Sequence, residues 1–401
     1  MTLRKIAFCI SLLVLMLSLC SCGGDSDTIQ LNVYNWGEYI SDGSEGSLDV
    51  NQEFEEYYLE NFGKKVEVNY TTYASNEDMY NKLKSGGVSY DLVIPSEYMI
   101  AKMREEGMLL KLDFSNIPNY KYIDEQYKGA YYDPDCEYTV PYFCGYVGVI
   151  YNSDMIEDEL YDWDALWSEQ YSGQILQFNN PRDAFGTAMY YKGIDVNTTN
   201  VYEWNAVAEM LKEQKPLVQG YVMDEIFNKM KNSSAAIAPY YAGDFLTMYE
   251  DNDALAFYYP ESGTNVFVDA MCIPSCAKNK EVAEAYINFC LTEEIAVANA
   301  EYVCYASPNV LVKDNPEYIE CMSEIHEDAV EILYPKEGIK STYYQNLDTA
   351  TMSVMNDLWE KLKIENSVEP WVYIFAGAIV LLVAILLIYK YINKKISEKY
   401  Y

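Results

Sequence analysis

The sequence is poor in the residue types that most catalytic and metal-binding sites require. Its 401 residues include one histidine, His326, and no two cysteines have the Cys-x-x-Cys spacing typical of zinc and disulfide-exchange sites. No Gly-x-Ser-x-Gly motif for a nucleophilic serine is present either. Catalysis by histidine or by a metal ion therefore has little support, and we expect no metal and no cofactor.

Basic residues are also scarce. Lysine and arginine together number 28, against 62 aspartates and glutamates, so the formal net charge is −34 at pH 7. A chain this acidic is repelled by nucleic acid, which we exclude as a partner, and it attracts cationic ligands. Surface acidity more commonly serves solubility, so the charge alone gives only weak support for a cationic ligand.

The ten cysteines do not form an obvious disulfide framework. Cys9 and Cys20 belong to a predicted signal peptide and Cys22 to a predicted lipidation site, which leaves seven. An odd number cannot all pair within one chain, and the sequence leaves any pairing open. We expect several of these cysteines to be small buried apolar residues.

Both ends of the chain indicate an extracellular, anchored protein. Residues 1–22 combine Arg4 and Lys5, an apolar run and a Leu-x-Ser-Cys ending, which predicts a lipoprotein signal peptide with Cys22 as the lipid acceptor. Residues 370–389 carry no charge and suit a transmembrane helix. The lysines that follow predict a cytoplasmic tail at 390–401, which places the intervening chain outside the cell, or in the periplasm where a second membrane exists.

Between the two ends, helical and strand patterns alternate. The first unit is predicted as strand 31–35, helix 48–62, strand 66–70, helix 76–85 and strand 91–95. The pattern restarts near residue 138 and continues to about 290. This alternation predicts an α/β fold with parallel sheets covered by helices on both faces.

The first strand ends in a stretch suited to an organic cation. Trp36 and Tyr39 bracket Glu38, so two aromatic rings and a carboxylate meet at the carboxyl edge of a sheet. An ammonium group is attracted to ring faces and donates hydrogen bonds to a carboxylate. The alternative is that both rings belong to the core and that Glu38 is a solvated turn residue.

Three further polar residues have both a structural and a functional interpretation. Asp269 interrupts an apolar strand, so it must be paired in a salt bridge or bind a ligand. Ser96 and Asn180 each follow a predicted strand and are predicted to cap the next helix. Capping does not exclude ligand contact, because helix N-termini in such sheets face the binding cleft.

Several sequence blocks recur together in one known family. They are YNWGEY at 34–39, TYASNEDMY at 72–80, YDLVIPS at 90–96, IP at 273–274 with AKNK at 277–280, and SPN at 307–309. With these blocks the chain resembles the substrate-binding proteins of spermidine/putrescine (polyamine) ABC transporters over residues 29–363.

The resemblance implies two α/β lobes, each a mainly parallel sheet with helices on both faces, that close on the ligand like a flytrap. Crossing strands near 138–146 and 265–273 are expected to join them. The implied boundaries are 29–140 with 270–312 for lobe 1, and 141–269 with 313–364 for lobe 2. The C-terminal transmembrane helix is not part of the ordinary family pattern.

The resemblance also implies the ligand-binding residues: Trp36, Glu38, Tyr39, Ser96, Tyr98, Asn180, Asp183, Tyr241, Asp244, Phe267, Asp269, Tyr305 and Gln345. Asn180 stands where spermidine-binding members usually have aspartate, and Tyr241 and Phe267 stand at tryptophan positions. Asp244, by contrast, matches the putrescine-binding members. Both polyamines therefore remain open as ligands.

Three functions follow from these patterns. The first is capture of an extracellular polyamine and its delivery to the permease subunits of an ABC transporter. The second is a membrane-anchored receptor for another organic cation, although a 12-residue tail is too short for a signalling domain. The third is a carboxylate-dependent hydrolase that uses Asp183 and Asp269.

Overall fold

A computed structural model describes residues 28–335 and 338–364, together with the isolated positions 381 and 390. The predicted signal peptide with Cys22 lies outside the described residues, as do the predicted span at 370–389 and the predicted tail at 390–401 apart from those two positions. Within the described residues, no helix has the length and apolarity needed to cross a bilayer.

Ten strands are present in the described residues: β1 Ile29–Trp36, β2 Val66–Tyr73, β3 Leu92–Val93, β4 Thr139–Asn152, β5 Ile175–Phe178, β6 Val218–Val222, β7 Ile237–Tyr241, β8 Leu255–Tyr258, β9 Thr264–Cys272 and β10 Ser341–Tyr343.

Thirteen α-helices accompany them in the same part of the chain: α1 Val50–Phe62, α2 Asn76–Ser85, α3 Glu97–Glu105, α4 Pro181–Lys192, α5 Val201–Gln214, α6 Glu225–Lys231, α7 Ala242–Tyr249, α8 Lys280–Cys290, α9 Glu293–Val303, α10 Val310–Lys313, α11 Pro316–Ile325, α12 Ala329–Leu333 and α13 Thr349–Ile364.

Side-chain caps fix where many of these helices begin. The Asp49 carboxylate accepts hydrogen bonds from the first backbone N–H groups of α1, and the Ser75 hydroxyl accepts one from Asp78 in α2. Gly63 ends α1 with a φ of 68°, a left-handed conformation that glycine adopts without steric cost. These local signals explain why the predicted bounds of α2, residues 76–85, are confirmed.

The strands form one mixed sheet in the order β2-β1-β3-β9-β4-β7-β5-β6, with β10 beside β9 and β8 beside β4. Pairing is parallel towards the two ends of this order, where β1 contacts β2 and β3, and β5 contacts β6 and β7. In the middle, β9 pairs antiparallel with β3 and β4, and β4 pairs antiparallel with β7. The expected mainly parallel sheets are therefore confirmed only away from the centre.

The two central strands are those that the sequence predicts to cross. β9 matches the expected segment 265–273 closely, whereas β4 continues six residues beyond the expected crossing segment at 138–146, to Asn152. Their register shifts between Pro141 and Phe143. Proline lacks an N–H for the ladder, which explains an irregularity at this point of an otherwise continuous strand.

All seven cysteines of the described residues are free thiols. Cys144, Cys272, Cys290 and Cys304 are buried, so they pack as small apolar side chains, as expected.

Candidate ligand-binding cavity

One cavity lies where strand ends from both sides of the sheet meet. Trp36 ends β1, Ser96 follows β3, Asn180 follows β5 and Tyr241 ends β7. Because the carboxyl ends of parallel strands share one edge, residues distant in sequence converge there. The cavity leaves about 70 Å³ to the centres of water-sized groups, several times the roughly 10–15 Å³ that one water needs. The space therefore admits a small molecule.

The structure brings twelve of the thirteen residues expected at the site to this cavity: Trp36, Glu38, Tyr39, Ser96, Tyr98, Asn180, Asp183, Tyr241, Asp244, Phe267, Asp269 and Tyr305. Gln345 is the exception. Its backbone N–H donates to Asn197 and its carbonyl accepts from Arg182, while the preceding Tyr344 lines the cavity instead.

Three tyrosine hydroxyls donate hydrogen bonds to three buried aspartates of the cavity. Hydroxyl-to-carboxylate hydrogen bonds join Tyr39 to Asp269 at 2.8 Å, Tyr241 to Asp183 at 2.8 Å and Tyr305 to Asp244 at 2.9 Å. Each hydroxyl orients one carboxylate oxygen without neutralising its charge. All three carboxyl groups can therefore still accept hydrogen bonds from a cation in the cavity.

Burial shifts the titration of these carboxyl groups. Loss of solvation raises the pKa of Asp269 to about 7 and that of Asp183 to about 6, against the opposing effect of hydroxyl hydrogen bonds. The pKa of Asp244 is also raised well above its usual range, first by burial. An ammonium ion in contact with these groups favours their ionised forms.

Asp269 receives a second hydrogen bond, 2.6 Å long, from the Ser96 hydroxyl. Ser96 stands at the N-cap position of α3 but makes no side-chain cap, which corrects the expected capping role. Both hydrogen bonds to Asp269 come from neutral hydroxyls, and among the described residues it forms no ion pair. The salt-bridge interpretation of Asp269 is therefore not what the structure shows.

Asn180 has two roles, because it caps a helix and also lines the cavity. Its side-chain oxygen accepts from the backbone N–H groups of Arg182 and Asp183, so it caps α4 as expected, and it also lines the cavity. The cap aims the first turn of α4, and with it Asp183, into the site.

The mouth of the cavity is acidic and closely packed. Asp224, Asp244 and Glu38 line both the cavity and the groove outside it. A Cβ atom at Gly37 would lie 2.3 Å from an Asp224 carboxylate oxygen, so only glycine permits this approach. Glu38 adopts a φ of 48°, which is uncommon for a residue with a side chain and turns the chain sharply after β1.

Six carboxyl side chains line the cavity, and none of the described lining residues is lysine, arginine or histidine: Glu38, Glu97, Asp183, Asp224, Asp244 and Asp269. Arg182 lies just behind, stacked 4.5 Å from the Tyr344 ring centre, and its terminal nitrogens donate to Val196, Asn197 and Gln345. Ten aromatic side chains line the cavity together with these acids; Tyr241 and Phe267, for example, meet edge to face at 5.4 Å. Acids and ring faces without a resident cation suit a multiply charged organic cation.

Comparison with known proteins identifies the family of this chain. Residues 89–321 match the family described as bacterial extracellular solute-binding protein. The chain belongs to this family. The spermidine/putrescine-binding periplasmic protein of Escherichia coli strain K12 is 32% identical over 343 residues, which are 84% of this chain and 92% of that protein. The resemblance expected from the sequence blocks is confirmed.

Solved structures agree with this family assignment. A putative spermidine/putrescine ABC transporter from Listeria monocytogenes is 34% identical, with a TM-score of 0.75 over 84% of this chain and 99% of that chain. The spermidine/putrescine ABC transporter substrate-binding protein PotD from Streptococcus pneumoniae is 33% identical, with a TM-score of 0.66 over the same shares. The two-lobed fold expected for the solute-binding protein is therefore confirmed.

Sequence reasoning missed seven residues with hydrogen-bonding side chains that line the cavity of this solute-binding protein: Tyr73, Asn76, Glu97, Asp224, Tyr240, Asn265 and Tyr344. Two of them carried a recognisable signal, because Glu97 and Asp224 follow strand ends, as Ser96 and Asn180 do. Asn265 alternates with Phe267 and Asp269 along β9, which places all three side chains on one face.

Proposed function

We propose that this solute-binding protein captures an extracellular polyamine, putrescine or spermidine, and delivers it to the permease subunits of an ABC transporter. The cavity supports the proposal most directly, because six carboxyl groups and several aromatic rings surround a space that no described basic side chain lines. Its relatives are named as spermidine/putrescine-binding proteins, which fits the same chemistry.

Calorimetry of the purified full chain with putrescine, spermidine and spermine tests the ligand. 1,4-Butanediol is the matched control, because it has the carbon chain of putrescine without its two charges. We expect saturable binding of at least one polyamine and none of the diol. Equal heats for the diol and the amines, or no binding of any amine, would refute the proposal.

The anchoring of the protein is also proposed, on sequence grounds. Cys22 is the expected lipid acceptor and residues 370–389 the expected membrane span. Lys363, in the last described turn of α13, donates to the Asn179 side chain at 2.7 Å, so this part of α13 lies beside the end of β5. Protease added to intact cells should digest the lobes and spare a tag placed after Tyr401; loss of the tag would contradict this topology.

The family assignment bears on the two alternatives. Solute-binding proteins bind rather than catalyse, so a hydrolase that uses Asp183 and Asp269 is not retained. A receptor for another organic cation would use the same cavity, and displacement of a bound polyamine by competing organic cations distinguishes it.

A further inference from the structure

Glu97 is a cavity residue with a buried carboxyl group, and its position rests on two neighbouring elements. It is the first residue of α3, directly after Ser96, and it is completely inaccessible to solvent. Its side chain turns back towards β9, where Oε2 accepts the backbone N–H of Val268 at 3.1 Å. The carboxyl group is therefore held at a defined place beside the centre of β9.

The second oxygen of this carboxyl group lacks a partner. Oε1 is buried, and no residue in the described part of the chain donates a hydrogen bond to it. Arg182 is the basic residue whose charge reaches Glu97, but it forms no ion pair with it and its terminal nitrogens are bonded elsewhere. A buried acceptor without a donor is unfavourable, so a donor from outside the chain is expected.

Glu97 also lies next to Asp269. Ser96 donates to the Asp269 carboxylate, while the adjacent Glu97 accepts from Val268, the residue before Asp269. Two consecutive residues of one segment are thus bonded to two consecutive residues of β9. Burial above all, together with the nearby negative charge of Asp269, holds the pKa of Glu97 well above its usual range. A cation beside Glu97 opposes both effects, because it favours the ionised form of the carboxyl group.

We propose that Glu97 is a further ligand-contacting residue, whose Oε1 accepts an N–H from the same polyamine ammonium that Asp269 binds. The inference rests on the proposed function of the cavity. A primary ammonium carries three N–H donors, so one group can serve both carboxylates. Asn265, another buried residue of the cavity with an unpartnered oxygen, lies four residues along the same face of β9 and marks where the polyamine chain continues.

A purely structural role for Glu97 makes a different prediction. An acidic residue is favourable in the first turn of a helix, and Oε2 satisfies one N–H of β9. Glu97→Gln retains an oxygen that can accept from Val268 and removes the charge. If the role were structural, the variant would lower the melting temperature of the ligand-free protein and leave affinity unchanged.

The test compares Glu97→Gln with Glu77→Gln in the full chain, using calorimetry with putrescine and spermidine. Glu77 is a matched control because it is also buried with one unpartnered oxygen, yet it does not line the cavity. We expect Glu97→Gln to weaken binding roughly 10- to 100-fold without lowering the ligand-free melting temperature, and Glu77→Gln to change affinity less than about threefold.

Wild-type affinity in Glu97→Gln, or an equal loss in both variants, would overturn the role of Glu97 while leaving the proposed function intact. Failure of the wild-type protein to bind either polyamine would overturn both.

Discussion

At the scale of single residues, Asp269 brings the site together. It lies on β9, accepts hydroxyl hydrogen bonds from Tyr39 and Ser96, and is 4% exposed. Both donors come from chain segments near the ends of other strands, so one carboxylate connects three parts of the cavity wall. Neither donor carries charge, which leaves the Asp269 charge for the ligand.

Asp269→Asn should therefore cost affinity rather than stability. The substitution keeps the shape of the side chain, but a desolvated ligand ammonium loses a charge-assisted hydrogen bond. We expect a loss of roughly 2–4 kcal/mol, or about 30- to 1000-fold in affinity. Calorimetry and thermal unfolding measure the two quantities, with Asp49→Asn as control, because asparagine caps a helix as well as aspartate and Asp49 lies outside the cavity. Unchanged affinity with a lower melting temperature would reject Asp269 as a ligand residue.

The same residue predicts a dependence on pH. Its pKa is raised to about 7 in the folded protein, whereas an aspartate in the unfolded chain titrates near its ordinary pKa of roughly 4. Between these values the folded state binds more protons, so the contribution of Asp269 to stability is lost as pH rises through this window. Polyamine affinity, by contrast, should increase as pH rises, because the ligand binds the ionised carboxylate.

Denaturant unfolding and binding at pH 5 and pH 8 check both signs. Relative to Asp269→Asn, the ligand-free wild type should lose stability between the two values, while its polyamine affinity should rise by at least roughly tenfold. Comparison with the variant cancels the other titrating groups. A wild type that gains stability relative to the variant as pH rises would contradict the assigned shift.

At the scale of elements, prediction worked where the determinants are local. Asp49, Ser75 and Asn180 cap α1, α2 and α4, and such caps can be recognised in sequence. The antiparallel pairing of β4 with β9 depends on contacts between segments more than a hundred residues apart, so neither periodicity nor capping predicts it. β3 is shorter than expected because only Leu92 and Val93 keep strand pairing before the chain turns into α3.

Some residues of the candidate site could likewise be predicted from the sequence and others could not. Twelve cavity residues could be named from the sequence because the resemblance to a known family implied their positions, although only Trp36, Glu38, Tyr39 and Ser96 lie within the shared blocks themselves. Glu97 and Asp224 lie outside those inherited positions, and their burial depends on how β9 and the turn at Gly37 pack against them. Of the pair Tyr344 and Gln345, Tyr344 lines the cavity in this structure and Gln345 does not.

The close packing of α7 against the segment around Tyr305 leads to a prediction about how this helix affects polyamine affinity. A Cβ atom at Gly243 would lie 2.3 Å from the Tyr305 ring, whose hydroxyl donates to Asp244. Gly243→Ala must displace the ring and its hydrogen bond, so we expect a loss of affinity of about 1–3 kcal/mol. Gly220→Ala is the control, because no atom lies within 4 Å of its added Cβ. Equal polyamine affinity in the two variants would show that the Tyr305–Asp244 contact is dispensable.

At the scale of the whole molecule, the cavity is formed by residues from both expected lobes. Trp36 and Ser96 belong to the expected lobe 1, and Asp183 and Asp244 to the expected lobe 2. The Tyr305–Asp244 hydrogen bond and a 2.9 Å bond from Asn346 to Glu105 also join the two expected lobes. Side chains from both expected lobes therefore contact one another in this structure, and carboxylates from both sides of the cavity are gathered at one place.

Such gathering of negative charge should make closure depend on the ligand. Without a cation, like charges at Glu38, Asp224 and Asp244 repel one another across the mouth, and the carboxylates are better solvated in an open cleft. An ammonium offsets the repulsion, and expulsion of water strengthens each contact that it makes.

Small-angle scattering of residues 28–364 should thus show a smaller radius of gyration with saturating polyamine than without it. Asp269→Asn at the same polyamine concentration should contract less, because fewer molecules are occupied. An identical radius for the empty and the saturated wild type would reject ligand-driven closure, and the binding site would then have to work as a preformed cavity.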